Sequence, residues 1–144
     1  MKRVVLLITI FVFAVVALMP SCTHKPLVPT VTTNGNYPDS IASIIVNKCT
    51  YAGCHNHASY ENAGELQLDT WEHMMAGGSF GAVTVAYSIK FSPILYYVCP
   101  DSNLGTQVYD PGHYGSHTPP SPREYETLVN WVAQGAPDRN GNVP

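Results

Sequence analysis

The chain has 144 residues, with 7 Lys and Arg against 10 Asp and Glu, and a formal net charge of −3 at pH 7. The chain has no cluster of basic residues, and this argues against nucleic acid as a partner. The length suits one small domain rather than several.

The N-terminus has the features of an export signal. Lys2 and Arg3 precede an apolar run from Val4 to Leu18, which is shorter than the roughly 20 residues that a membrane-spanning helix needs. Ser21 then precedes Cys22. A small residue before a cysteine is typical of a lipoprotein cleavage site. We therefore predict a signal peptide over 1–21 with a lipid on Cys22, the alternative being an uncleaved signal anchor.

This assignment predicts where the globular part resides. We expect it in the bacterial cell envelope, lipid-anchored and facing the periplasm or the exterior, with the membrane contacted through the lipid. Removal of residues 1–21 leaves five Lys and Arg and all ten Asp and Glu, so the formal charge becomes 5 − 10 = −5. An acidic surface suits a partner protein that presents a positive docking face.

Composition divides the remainder into three parts. Residues 22–38 are rich in Thr, Pro, Asn and Gly without apolar periodicity, and this predicts a flexible tether. Residues 39–138 form the predicted domain, and 139–144 form a C-terminal tail. Apolar spacing and capping residues predict four short helices in an all-α domain. They run from Asp39 or Ser40 to Lys48, from Trp71 to Ala76 before Gly77, from Ser92-Pro93 onward, and from Ser121 to a stop at Gly135.

The run from Cys49 to His55 is the most informative motif. It places two thiols ahead of a histidine that directly follows the second thiol, Cys54. Two cysteines and an adjacent histidine are the arrangement that attaches c-type haem, in which each thiol joins one vinyl group and the histidine binds the iron. Four residues separate the cysteines here, whereas the common motif has two. A disulfide between Cys49 and Cys54 is the alternative.

Four segments in order resemble the planctomycete-type branch of the small class I cytochromes c. They are the Cys49–His55 motif, the stretch from Gly64 to Gly78 (similar to "GGLDLSTYEALMKGG"), Ser92 to Tyr96, and Pro119-Pro120 followed by Leu128, Trp131, Gly135 and Ala136. The resemblance implies a small cytochrome c fold, about four short helices wrapped around one covalent haem c. Trp131 and Tyr125 are expected to be core aromatic residues that pack the last helix against the first and against the haem, and Tyr96 is expected to do likewise.

The resemblance leaves the distal iron ligand open. The methionine that the family places directly before the two prolines is replaced here by Thr118. His117, beside that position, is the preferred candidate because imidazole is a common metal ligand, and His113 is its rival. Met74 or Met75 could serve instead, or the iron could keep an open position.

These features predict an extracytoplasmic electron-transfer protein, not an enzyme, with redox proteins as partners. An open-site haem sensor or weak peroxidase that binds small ligands is the first alternative. A haem-free envelope lipoprotein stapled by a disulfide is the second. Cys99 is expected to be a buried small hydrophobic residue.

Overall fold

A computed structural model describes residues 34–100 and 113–144. The fold in these ranges is all-α, as predicted. Its elements are α1 (Asp39–Cys49), α2 (Trp71–Ala76), α3 (Pro93–Tyr97) and α4 (Pro122–Ala133), with a 3₁₀ turn at Tyr60–Asn62 and an isolated bridge between Gly78 and Gly81.

The longest helices, α1 and α4, form the core. Ile41, Ile44 and Ile45 of α1 are buried at helical spacing. Leu128 and Val132 of α4 are buried one turn apart. Helix α1 packs on α4, and α3 also contacts α4. The apolar faces of three helices therefore meet in one cluster.

The predicted capping signals at α2 and α4 are confirmed. The Ser121 hydroxyl accepts from the backbone N–H of Glu124, whose carboxylate in turn accepts from the backbone N–H of Ser121, which completes a capping box. The Thr70 hydroxyl accepts from the backbone N–H of His73 at the start of α2. Gly77 follows α2 with φ +78, a value that favours glycine.

Helix α3 begins at the predicted proline, but Ser92 does not cap it through its side chain. The Ser92 hydroxyl instead accepts from the backbone N–H of Val85 and lies 2.7 Å from the carbonyl of Ser88. Ser92 is fully buried. Its side chain therefore fixes the preceding loop against the helix, which holds α3 in place.

The domain begins earlier than the predicted boundary at residue 39. Tyr37, assigned to the tether, is fully buried, and its hydroxyl is 3.0 Å from the Leu68 carbonyl and 2.9 Å from the Thr70 carbonyl. The backbone N–H of Trp71 donates to the Gly35 carbonyl at 2.7 Å. Residues 34–38 are therefore part of the folded domain. The spacing of apolar residues could not predict this boundary, because a single buried tyrosine in a turn forms no repeating pattern.

The predicted tail is also bonded to the domain at its start. The backbone N–H of Arg139 donates to the Asn36 carbonyl at 2.8 Å. The Asp138 carboxylate accepts from the backbone N–H groups of Asn140 and Asn142 at 2.8 Å each. Burial raises the pKa of Asp138, but the hydrogen bonds from Asn142 and Asn140 together outweigh it, so the pKa lies below its ordinary value. The turn after residue 138 therefore closes the domain against its N-terminal segment.

The predicted signal peptide and the lipidated Cys22 lie outside the described residues. In the described ranges, every helix is too short or too polar to cross a bilayer.

Candidate cofactor site

One cavity of about 500 Å³ opens beside the end of α1. This volume is within the range of sites that hold organic cofactors. Most of its wall is apolar. The apolar wall comes from the loop after the motif, the segment after α2, and α3: Ala63, Leu66, Leu68, Phe80, Ala82, Val83, Pro93, Ile94, Tyr97 and Val98.

All three residues of the predicted attachment motif line this cavity: Cys49, Cys54 and His55. Helix α1 ends at Cys49 and so carries the first thiol to the wall. The backbone N–H of His55 donates to the Cys49 carbonyl at 3.1 Å, and that of Cys54 to the Tyr51 carbonyl at 3.0 Å. Gly53 has φ +83 within this loop. The four intervening residues therefore form a closed turn that returns the chain to the same wall.

The two thiols are not joined to each other. Cys49 is buried and Cys54 is half-buried. Burial, followed by the nearby Cys54, raises the pKa of the Cys49 thiol to about 12, although Lys48 opposes the shift. The Cys49 side chain is therefore a protonated thiol at neutral pH.

His55 is held in one tautomer. Its Nδ1 is 2.9 Å from the Leu66 carbonyl, which can only accept, so Nδ1 carries the proton and Nε2 keeps a lone pair. Burial lowers the pKa of His55, the hydrogen bond to Leu66 opposes this, and His113 lowers it further. A neutral imidazole with one free, oriented nitrogen is the form that binds a metal ion.

Two further histidines line the cavity on the segment before α4: His113 and His117. The ring centre of His113 is 5.9 Å from that of His55, with 30° between the ring planes. His117 stacks on Tyr51, with ring centres 4.0 Å apart and planes within 8°. Thr118 is exposed and is not part of the cavity wall. Both predicted candidates for the distal position thus lie near the motif, in different surroundings.

The methionines of α2 lie away from the cavity. Met74 is fully buried in the core cluster, and Met75 packs against that cluster. Neither lines the cavity. Both side chains pack the interior, the ordinary use of a flexible thioether.

Trp131 and Tyr125 belong to the core cluster, as predicted, but the aromatic residues beside the cavity are others. Trp131 and Tyr125 are buried, but they and Tyr96 do not line the cavity. Tyr97 and Tyr114 line it instead. Helical spacing could have identified Tyr97, because it lies four residues after Pro93 and shares that face of α3. Tyr114 lies outside any helix, where periodicity gives no signal.

Lys48 also borders the cavity and ties α1 to the segment before α4. Its ammonium is 3.4 Å from the Glu124 carboxylate and 3.4 Å from the Pro119 carbonyl. The Lys48 side chain is 19 % exposed and that of Glu124 is 32 % exposed, so solvent screening limits the pair. Its geometric effect is to hold the Pro119 backbone close to the end of α1.

Two other histidines are not part of the site. His57 is exposed, and His73 lies on the surface of α2, where its Nδ1 is 2.8 Å from the Asp69 carboxylate. In the two described stretches, no three His, Cys, Asp or Glu side chains converge as they would around a zinc ion. A haem iron needs only one or two protein ligands.

No family model, no curated protein and no solved structure matches this chain.

Proposed function

We propose that this protein is a monohaem c-type cytochrome that carries single electrons outside the cytoplasm. The observation that carries the proposal is that one largely apolar cavity has both thiols of the motif and His55 in its wall. A disulfide-stapled lipoprotein would have no need of such a cavity. The cytochrome c fold and the membership of the planctomycete-type branch are part of the proposal.

The residues of the cavity fit a haem in both size and donor chemistry. Cys49 and Cys54 would each add sulfur and a proton across one vinyl double bond, a step that needs reduced thiols and no oxidant. His55 would bind the iron through Nε2, because Nδ1 is already engaged by Leu66. The apolar side chains would surround the macrocycle and exclude water.

When bound, the haem would supply a one-electron couple. The protein's part is to prevent the iron ligands and the polarity of their surroundings from changing during electron transfer. The hydrogen bond from His55 to the Leu66 carbonyl fixes the ring orientation. Lys48 ties the Pro119 backbone to α1. A site held in this way moves little when its charge changes, and this favours electron transfer over substrate chemistry.

The location and the partners follow from the parts of the chain already discussed. We propose that the lipid on Cys22 tethers the domain to the bacterial cell envelope, facing the periplasm or the exterior. Its redox partners would present positive surfaces, because the formal charge of residues 22–144 is 5 − 10 = −5.

A potentiometric titration followed by visible spectroscopy tests this function. The protein, purified from a host with haem-attachment machinery, should show Soret absorption and a reversible one-electron transition. Because no thioether lines the cavity in the described residues, we expect a midpoint below that of methionine-ligated cytochromes c. An irreversible transition, or the absence of a Soret band, would contradict the proposal.

The open-site sensor or weak peroxidase is the second candidate, because Thr118 is exposed and off the cavity wall. Carbon monoxide added to the reduced protein separates the two. A rapid spectral shift would favour the open site, and an unchanged spectrum favours the electron carrier.

A further inference from the structure

We infer that His113, and not His117, provides the second imidazole to the iron. The inference rests on the proposed function, since it assigns the distal side of the same site.

The spacing of two rings supports His113. A metal–imidazole bond is about 2 Å long, so two imidazoles bound to one iron from opposite sides hold their ring centres about 6 Å apart. The ring centres of His55 and His113 are 5.9 Å apart. Both rings line the cavity that also holds the two thiols. The ring centres are therefore already at the spacing that one ion requires, although the rings would have to turn so that a nitrogen of each faces the ion.

Two tyrosines lie beside the ring of His113. Tyr114 meets it edge-on with ring centres 5.3 Å apart, and Tyr97 of α3 lies at 5.7 Å. Both tyrosines belong to the cavity wall. His113 is otherwise exposed, so its ring lies where the cavity meets solvent.

His117 is engaged elsewhere. Its ring lies flat on Tyr51, at 4.0 Å and 8°, which is closer than any other ring pair in the described residues. Tyr51 belongs to the four-residue loop between Cys49 and Cys54, which is two residues longer than in the common motif. The ring of His55 is thus paired with that of His113, whereas the ring of His117 is paired with this loop. The longer loop thus supplies a ring partner for His117 other than His55.

The other side chains considered for the distal position do not reach the cavity. Thr118 is exposed, and Met74 and Met75 belong to the core cluster. Among the described residues, His113 and His117 are the remaining candidates with imidazole chemistry beside the motif.

Single variants of the haem-loaded protein test the inference by spin state. His113→Ala should convert the low-spin spectrum to a high-spin one and allow the reduced protein to bind carbon monoxide. His117→Ala should keep the low-spin spectrum, as should the surface control His57→Ala. Loss of the low-spin spectrum in His117→Ala with its retention in His113→Ala would overturn the inference, as would its retention in all three variants.

A second variant covers the case in which His113→Ala does not fold. His113→Met keeps a ligand at this position and should retain a low-spin spectrum with a midpoint higher than that of the wild type, because methionine with histidine raises the potential. A midpoint equal to the wild-type value would overturn the inference. If the wild-type protein itself shows no Soret band, the proposed function fails, which is a different result from a low-spin spectrum that survives in His113→Ala.

Discussion

Replacement of Tyr37 by Phe tests whether residues 34–38 belong to the domain. The Tyr37 ring is fully buried and meets Trp131 edge-on with ring centres 6.4 Å apart, and phenylalanine keeps that contact. The variant removes only the hydroxyl. The Thr70 carbonyl still accepts from the backbone N–H of Met74 at 3.1 Å, whereas the buried Leu68 carbonyl loses its 3.0 Å partner.

A buried carbonyl left without a partner costs about 1–3 kcal/mol. For a domain of this size, each kcal/mol lowers the melting temperature by about 4–8 °C. We therefore expect Tyr37→Phe to melt about 5–20 °C below the wild type in a thermal scan followed by circular dichroism. The matched control is Tyr87→Phe, since Tyr87 is 66 % exposed and should change stability by less than about 0.5 kcal/mol. Equal melting temperatures for the two variants would refute the assignment of residues 34–38 to the domain.

Three further predictions concern the same framework. Gly35→Ala should destabilise the protein far more than Gly141→Ala in urea unfolding. Both glycines have positive φ, but of the two only residue 35 would bring a Cβ against a backbone oxygen, that of Asp69, at 2.1 Å. Equal losses of unfolding free energy in the two variants would exclude the contact. Ser121→Ala should lower the free energy of unfolding by about 1 kcal/mol through loss of the capping box, and an unchanged urea midpoint would contradict this. Burial raises the pKa of Tyr37 well above its ordinary value of 10.0, with smaller contributions from nearby acidic groups. As the pH rises above about 10, the unfolded chain therefore loses this proton before the folded protein does. The free energy of unfolding of the wild type should then fall by up to about 1.4 kcal/mol per pH unit more than that of Tyr37→Phe. Parallel plots of unfolding free energy against pH for the two proteins would contradict the raised pKa.

The helices could be predicted from the sequence because their signals are local. A capping box, a proline at the first position and a glycine after the last turn act within a few residues of each other. This is why α4 begins at the predicted proline and α2 ends before the predicted glycine. The Tyr37 hydroxyl, by contrast, contacts the carbonyls of Leu68 and Thr70, which lie 31 and 33 positions further along the chain. A local pattern carries no information about such contacts.

The sequence likewise predicted the local part of the candidate site but not the contacts between distant residues. Cys49, Cys54 and His55 form one short motif, and all three line the cavity. The choice between His113 and His117 depends instead on which ring lies opposite His55, a contact across 58 residues (113 − 55). The resemblance favoured His117 because it is beside the replaced methionine. Distances between rings, which the sequence does not contain, favour His113.

The measurement that tests the central claim most directly is a haem stain of the denatured protein, combined with mass spectrometry of the peptide that contains Cys49 and Cys54. The wild type should retain one haem through denaturation, attached to this peptide. The double variant Cys49→Ala/Cys54→Ala should retain none, whereas Cys99→Ala, which changes a buried cysteine outside the motif, should stain like the wild type. A colourless wild-type band from a host with working haem-attachment machinery, or a stained double variant, would contradict the account.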